Sequence, residues 1–205
     1  EEEPGLPGPD GADPAPAEDL QERAYSKQRA EQALGRLVEL REDFERRGAA
    51  SWGGETYASA IEHADRGDAQ MASGEFEAAG AEYEQAARAL DQLGSVAVDL
   101  LRRALADGQQ ALEEGDEARA TAAFGLAAEI APDNQAAASG LRRAEVVDEV
   151  SEALLIADAR ERAGDWVEAE RAYRQAVALD PMSLVAQESL ARVQVHLSDD
   201  RFADF

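Results

Sequence analysis

The chain of 205 residues, 44% hydrophobic but only 5% aromatic, is long enough to bury one extended core or two small ones. Its 44 acidic and 20 basic residues leave a net charge of −24, a surface that repels phosphate backbones and anionic headgroups and favours basic partners. The absence of cysteine excludes disulfides, thiolate nucleophiles and Cys-rich zinc sites, and no apolar run is long enough for membrane insertion within this chain.

Residues 1–18 hold five of the seven prolines and begin Glu1-Glu2-Glu3. Such a segment cannot bury apolar surface and is expected to be a disordered acidic Pro/Gly-rich linker. Its three collagen-like triplets are too few to nucleate a triple helix. Because the chain opens on Glu rather than Met, the expectation is a piece of a longer polypeptide, with this segment tethering the folded part to a preceding element. From Asp19 to Arg47 there is no proline, and Ala30, Leu34, Leu37, Val38 and Phe44 recur at helical spacing. A long N-terminal helix over 19–47 follows, stopped by Arg46-Arg47-Gly48. Ser51-Trp52-Gly53-Gly54 reads as a turn, with Trp52 plugging the space between helices.

Beyond this point the sequence repeats itself. Counting from Gly74, Gly115 and Gly164, an alanine stands five residues later at Ala79, Ala120 and Ala169. An aromatic stands at nine (Tyr83, Phe124, Tyr173) and a second alanine at twelve (Ala86, Ala127, Ala176). Seven residues before each glycine is a tiny residue: Gly67, Gly108, Ala157. Glycine can reverse the backbone at positive φ, and tiny residues allow two helices to cross closely. A hairpin of this kind cannot cover its own apolar face and must stack on a neighbour.

At these residues the chain resembles the tetratricopeptide repeat. Gly164-Asp165-Trp166, Ala169, Tyr173, Ala176 and Leu179-Asp180-Pro181 are similar to that family's inter-helix turn, second helix and closing proline. Gly115-Asp116 through Ala120, Phe124, Ala127, Ile130 and Pro132 matches almost as well. In the first unit, Gly74-Glu75-Phe76 through Ala79, Tyr83 and Ala86, the closing proline is missing and Leu93-Gly94-Ser95 is expected to turn instead. The resemblance covers roughly Tyr57 to Val195. It implies an all-α fold, an α-solenoid of about seven or eight helices stacked as antiparallel hairpins within a domain over 19–205. Repeat units are expected at about 57–92, 96–132 and 134–181, followed by a C-terminal helix at 183–198. Successive hinge glycines stand 41 and 49 residues apart, against a usual period of about 34, so whole-turn lengthening of helices is expected. The lengthened helix is placed at Asn134–Ala163, kinked at Gly140, with a break near Val147-Asp148 as the competing reading. In the tail, Phe202 and Phe205 resemble the opening turn of another helix.

Chemistry is scarce. His63 and His196 have no second histidine or cysteine at metal spacing, and no phosphate loop, nucleophile elbow or calcium loop appears. Adjacent acids such as Glu113 and Glu114 point apart on a helix. The chain is therefore read as a non-enzyme without cofactor or metal. Stacked hairpins of the resembled family take peptides along the surface of their first helices, which places a partner-binding groove at Asp68, Met71, Arg102, Leu105, Gln109, Leu154, Asp158, Glu161 and Arg162. The Lys and Asn with which some members clamp a C-terminal carboxylate are missing there. The expected function is a protein-protein interaction scaffold or adaptor taking a basic or amphipathic protein or peptide. The alternatives are a non-catalytic module of a larger membrane-anchored or enzyme-containing chain and a self-associating homo-oligomer. An extracytoplasmic or periplasmic, membrane-tethered setting is favoured over a cytoplasmic one, and low Lys with abundant Ala and Arg suggests a bacterial source.

Overall fold

A computed structural model describes the backbone of residues 17–203, with side chains from Asp19 to Asp199. The expected linker, apart from its last two residues, and Phe205 lie outside the described residues. Among these residues the chain is all-helical, with nine helices and no strand. They are α1 (Ala17–Arg46), α2 (Ala49–Trp52), α3 (Gly54–Ser73), α4 (Phe76–Glu114) and α5 (Glu117–Ile130). Then come α6 (Gln135–Ala144), α7 (Val147–Arg162), α8 (Trp166–Leu179) and α9 (Leu184–Ala203). The residues form two compact units. One takes Phe44 and the residues before it together with Glu55–Gln92; the other takes Glu45–Gly54 and the residues from Leu93 onward.

In the first unit, α1 buries Ala30, Leu37 and Phe44, a stripe of seven-residue spacing. Val38, expected in that stripe, is exposed. Helix α1 runs in the same direction as the start of α4: Arg29 pairs with Glu84 and Arg36 with Asp91 further along both helices. Beside the first of these pairs a Cβ on Gly80 would stand 3.4 Å from the Ala30 Cα, so glycine sets a close approach. Helix α3 buries Ala60, Ala64 and Gly67, the last of these facing the Tyr83 ring on α4. The Arg46-Arg47-Gly48 stop operates as expected, with Gly48 at φ 65°.

In the second unit, the short α2 stands where a plain turn is expected, and Gly54, at φ 53°, opens α3 directly. Arg47 Nε donates to the Ile130 carbonyl at 2.8 Å, placing a cation at the negative end of α5. Trp52 is half-buried; its indole N–H donates to the Arg47 carbonyl at 2.7 Å. The core is built largely from alanine: Ala111, Ala120 and Ala144 around Phe124, then Ala104, Ala127 and Ala137, then Ala153, Ala176 and Ala186 with Val150. Methyl-sized contacts let helix axes come close, so this composition yields a dense core with few large side chains.

Three expectations are corrected. Leu93-Gly94-Ser95 does not turn: α4 passes through it as one helix of 39 residues. Leu90, Leu93 and Ala97 are buried in helical phase, and with no proline to stop the chain that burial outweighs the cost of one glycine, about 1 kcal/mol. The lengthened helix therefore lies in the 41-residue interval. The 49-residue interval instead contains an additional helix, since Asn134–Ala163 is split into α6 and α7 at Glu145-Val146, in line with the competing reading of a break near Val147-Asp148. The split has charge signals on both sides: Arg142 and Arg143 close α6, and Asp148 and Glu149 open α7. Gly140 lies within α6, buried under Phe124. Finally, α9 runs without a break from Leu184 to Ala203, so Asp199–Ala203 continues that helix and opens no new one.

Candidate functional site

Each repeat glycine sits at positive φ, Gly74 at 80°, Gly115 at 74° and Gly164 at 76°. Each closes the helix before it with the same pair of backbone bonds. Gly74 donates to Met71 and Glu75 to Gln70; Gly115 to Leu112 and Asp116 to Ala111; Gly164 to Glu161 and Asp165 to Arg160. This is the Schellman closure, in which a left-handed residue satisfies carbonyls that the helix end leaves open. The following helix then begins two residues after the glycine; in the middle hairpin the residue between is the cap, and the Asp116 side chain accepts from the Arg119 amide at 3.0 Å.

The turn folds the second helix back so that the repeat aromatic reaches the tiny residue on the first. A Cβ on Gly67 would stand 2.5 Å from the Tyr83 ring, and one on Gly108 would stand 2.8 Å from Phe124. Phe124 is enclosed from its other side by Gly140, where a Cβ would fall 2.4 Å from the ring. Tyr173 lies fully buried with Ala157, Ala169, Ala172 and Val193.

A second layer of pairing accompanies this one, and the repeat spacing did not announce it. Tyr83 donates its hydroxyl to Asp68 at 2.8 Å, and Tyr173 donates to Asp158 at 2.5 Å and to Glu161 at 2.7 Å. Burial of the ring, reinforced by these carboxylates, pushes both phenols well above their ordinary range. In the middle hairpin the aromatic is Phe124, without a hydroxyl, and the corresponding position is Gln109, not an acid. Gln109 serves a different network: its side-chain oxygen accepts from Arg143 Nη1 at 2.9 Å, and Arg143 Nε donates to Asp180 at 2.9 Å. Asp180 in turn accepts from the Met182 amide, which fixes the turn before α9.

The expected groove residues therefore have mixed fates. In the first unit Asp68 is held by Tyr83, and Met71 is half-buried. In the second unit Leu105 and Leu154 are half-buried and pack against the alanine core. Arg102 is exposed and paired with Asp99 on its own helix. Asp158 and Glu161 converge on Tyr173, and Glu161 is also gripped by Arg192 through both oxygens at 3.1 and 2.9 Å. That guanidinium holds the Glu161 carboxyl below the usual carboxylate range. Arg162 is exposed. Gln109 and Leu154 do meet, around a cavity of about 30 Å³ with Arg143 and Asp180, which has room for little more than a water molecule.

The histidines act as ordinary helix partners. His63 Nδ1 lies 2.6 Å from Glu82, whose other contact is Arg66 at 3.1 Å, and the His63 bond lowers the Glu82 carboxyl. The His196 ring lies against Trp166, centroids 3.8 Å apart and planes tilted at 49°. Among the described residues no group of three His, Asp or Glu could hold a metal, and no helix is long and apolar enough to cross a membrane. Comparison with models of protein families, with curated proteins and with solved structures finds no match, so the tetratricopeptide resemblance rests on the residues and hinge geometry described above.

Proposed function

We propose that the chain is a non-catalytic scaffold or adaptor whose tetratricopeptide-like hairpins stack to display helix surfaces to protein partners. One observation carries this reading: three hairpins share the same glycine closure and the same pairing of an aromatic with a tiny residue. The polar groups around the repeat aromatics and the interior turns are engaged in intramolecular bonds, as Tyr173–Asp158 and Arg143–Asp180 illustrate, which supports a reading in which the helix surfaces act. The test is affinity capture with the full chain, reconstitution of each candidate complex from purified components, and calorimetry. Failure of every purified partner to bind sinks the reading, as does a turnover assay that identifies a substrate.

Self-association is favoured by a different observation. In the second unit Leu155, Val167, Leu184 and Val195 are each about 60% exposed or more, apolar surface that a second copy could cover. Light scattering over a concentration series separates the two readings: a monomer throughout removes this one.

A further inference from the structure

The first unit contains a cleft beside the hinge of its own hairpin, where Gly74, Glu75 and Phe76 face α1. Where α1 meets the turn between α3 and α4, a cavity of about 640 Å³ is bounded by Asp19, Glu22 and Arg23 on one side and by Glu75, Phe76 and Glu77 on the other. A hollow of about 300 Å³, reaching Tyr25, shares Glu22, Phe76 and Glu77 with it. Phe76 already draws cations: the Arg23 guanidinium lies 5.5 Å and the Lys27 ammonium 6.0 Å from its ring centroid. Further along the same two helices the acids are matched, Glu84 by Arg29 and Asp91 by Arg36. Around the cleft, Asp19, Glu22, Glu75 and Glu77 are exposed, and none of the ion pairs among the described residues involves them.

The starts of α1 and α4 both lie here, each contributing roughly half a positive charge. With Lys27 balanced by its pair with Glu31, four carboxylates exceed those two half-charges and the Arg23 guanidinium by about two units. The cleft is therefore negative, wide enough for a side chain, and floored by an aromatic ring and the small residues Ala78 and Ala81. We propose that it receives Lys or Arg side chains of a basic peptide segment on a partner protein. The aliphatic stem would lie on Phe76 and the charged head among Glu22, Glu75 and Glu77. This rests on the interaction reading above and names the partner's chemistry. Phosphate-bearing polymers and anionic lipid are repelled, and a second copy of a chain with net charge −24 is a poor occupant.

The experiment titrates acetyl-Ala-Lys-Ala-Lys-Ala-amide into the isotope-labelled full chain at about 0.15 M salt, where distant charges are screened. A Glu-for-Lys version of the peptide is the control. The Lys peptide is expected to shift the amides of Gly74 to Ala81 saturably, and the Glu peptide to leave them unmoved. Glu22→Gln with Glu77→Gln should weaken binding about fivefold or more, as expected for two partly exposed ion pairs. Glu149→Gln with Glu152→Gln, which removes the same charge from exposed positions on α7, should change it by less than about twofold. Equal weakening by both pairs, or shifts spread over the acidic surface without Gly74–Ala81, overturns the proposal. A purified partner still retained after the Glu22/Glu77 neutralisation also overturns it while leaving the scaffold reading intact. Absence of any partner for the wild-type chain sinks the scaffold reading, and the peptide titration still decides the cleft.

Discussion

Tyr173 donates its hydroxyl to Asp158, the residue that follows the alanine its ring covers, and Tyr83 does the same to Asp68 at the same fifteen-residue separation. The repeat thus couples a packing contact to a polar one. Where the aromatic becomes Phe124 the acid becomes Gln109, and no carboxylate is left facing a ring edge that cannot donate to it.

This coupling predicts the effect of removing the hydroxyl. Tyr173→Phe keeps the ring but abolishes both bonds, and should cost about 0.5–1.5 kcal/mol in denaturant unfolding. Replacing Asp158 and Glu161 by Lys would break the same bonds and the Arg192 pair besides. Such charge reversals should lower stability before they alter any partner contact, which melting curves recorded beside binding data will reveal.

A pH dependence follows from Glu161. Its carboxyl is lowered in the folded chain by Arg192, so its contribution is present above the unfolded carboxylate pKa of about 4.3 and is lost as pH falls through the depressed folded value. Arg192→Gln should flatten the acid limb of the stability curve, measured by urea unfolding between about pH 3 and 7. An unchanged acid limb would remove the link. The two phenols work with the opposite sign. Raised in the folded state, they stabilise below the unfolded tyrosine value of about 10 and cease to do so at more alkaline pH.

Glycine-to-alanine substitutions should change sign with position. Gly108→Ala would gain helix propensity, but its Cβ would land 2.8 Å from the Phe124 ring, and overpacking of that kind costs about 1–3 kcal/mol. Gly125→Ala, in the next helix with no atom within 4 Å of the new methyl, should instead stabilise by about 0.5–1 kcal/mol. Gly164→Ala meets no neighbour either, yet φ of 76° should make it destabilising by about 1–2 kcal/mol. Thermal melts of the three variants test the ordering.

These positions also show what could be read from the chain alone. The hinge glycines, the tiny residues and the aromatics were legible because backbone reversal and close approach each demand a particular residue at a fixed spacing. The Tyr–Asp pairs were equally present in the sequence but hidden, because the acid stands among many acids. The continuity of α4 was illegible for another reason. A Gly-Ser pair resembles a stop, and only the burial of Leu90, Leu93 and Ala97 on one stripe decides otherwise. The groove register is harder to read, because residues such as Leu105 and Leu154 are inner-face candidates by spacing and are half-buried against the alanine core by contact.

The Gln109–Arg143–Asp180 network supports the last prediction. Arg143 and Asp180 are 14% and 8% exposed, so their 2.9 Å contact is shielded from solvent ions, unlike the surface pair of Arg102 and Asp99 at 69% and 56%. Asp180→Asn would leave the Arg143 guanidinium buried with only a neutral acceptor, and loss of one partner of a buried pair costs about 3–5 kcal/mol. Asp99→Asn should cost under about 1 kcal/mol. Added salt should erase the small effect and leave the large one, because screening acts on charges that water already reaches. Unfolding of both variants at low and high salt measures this directly. A salt-sensitive Asp180→Asn would mean that solvent reaches the network.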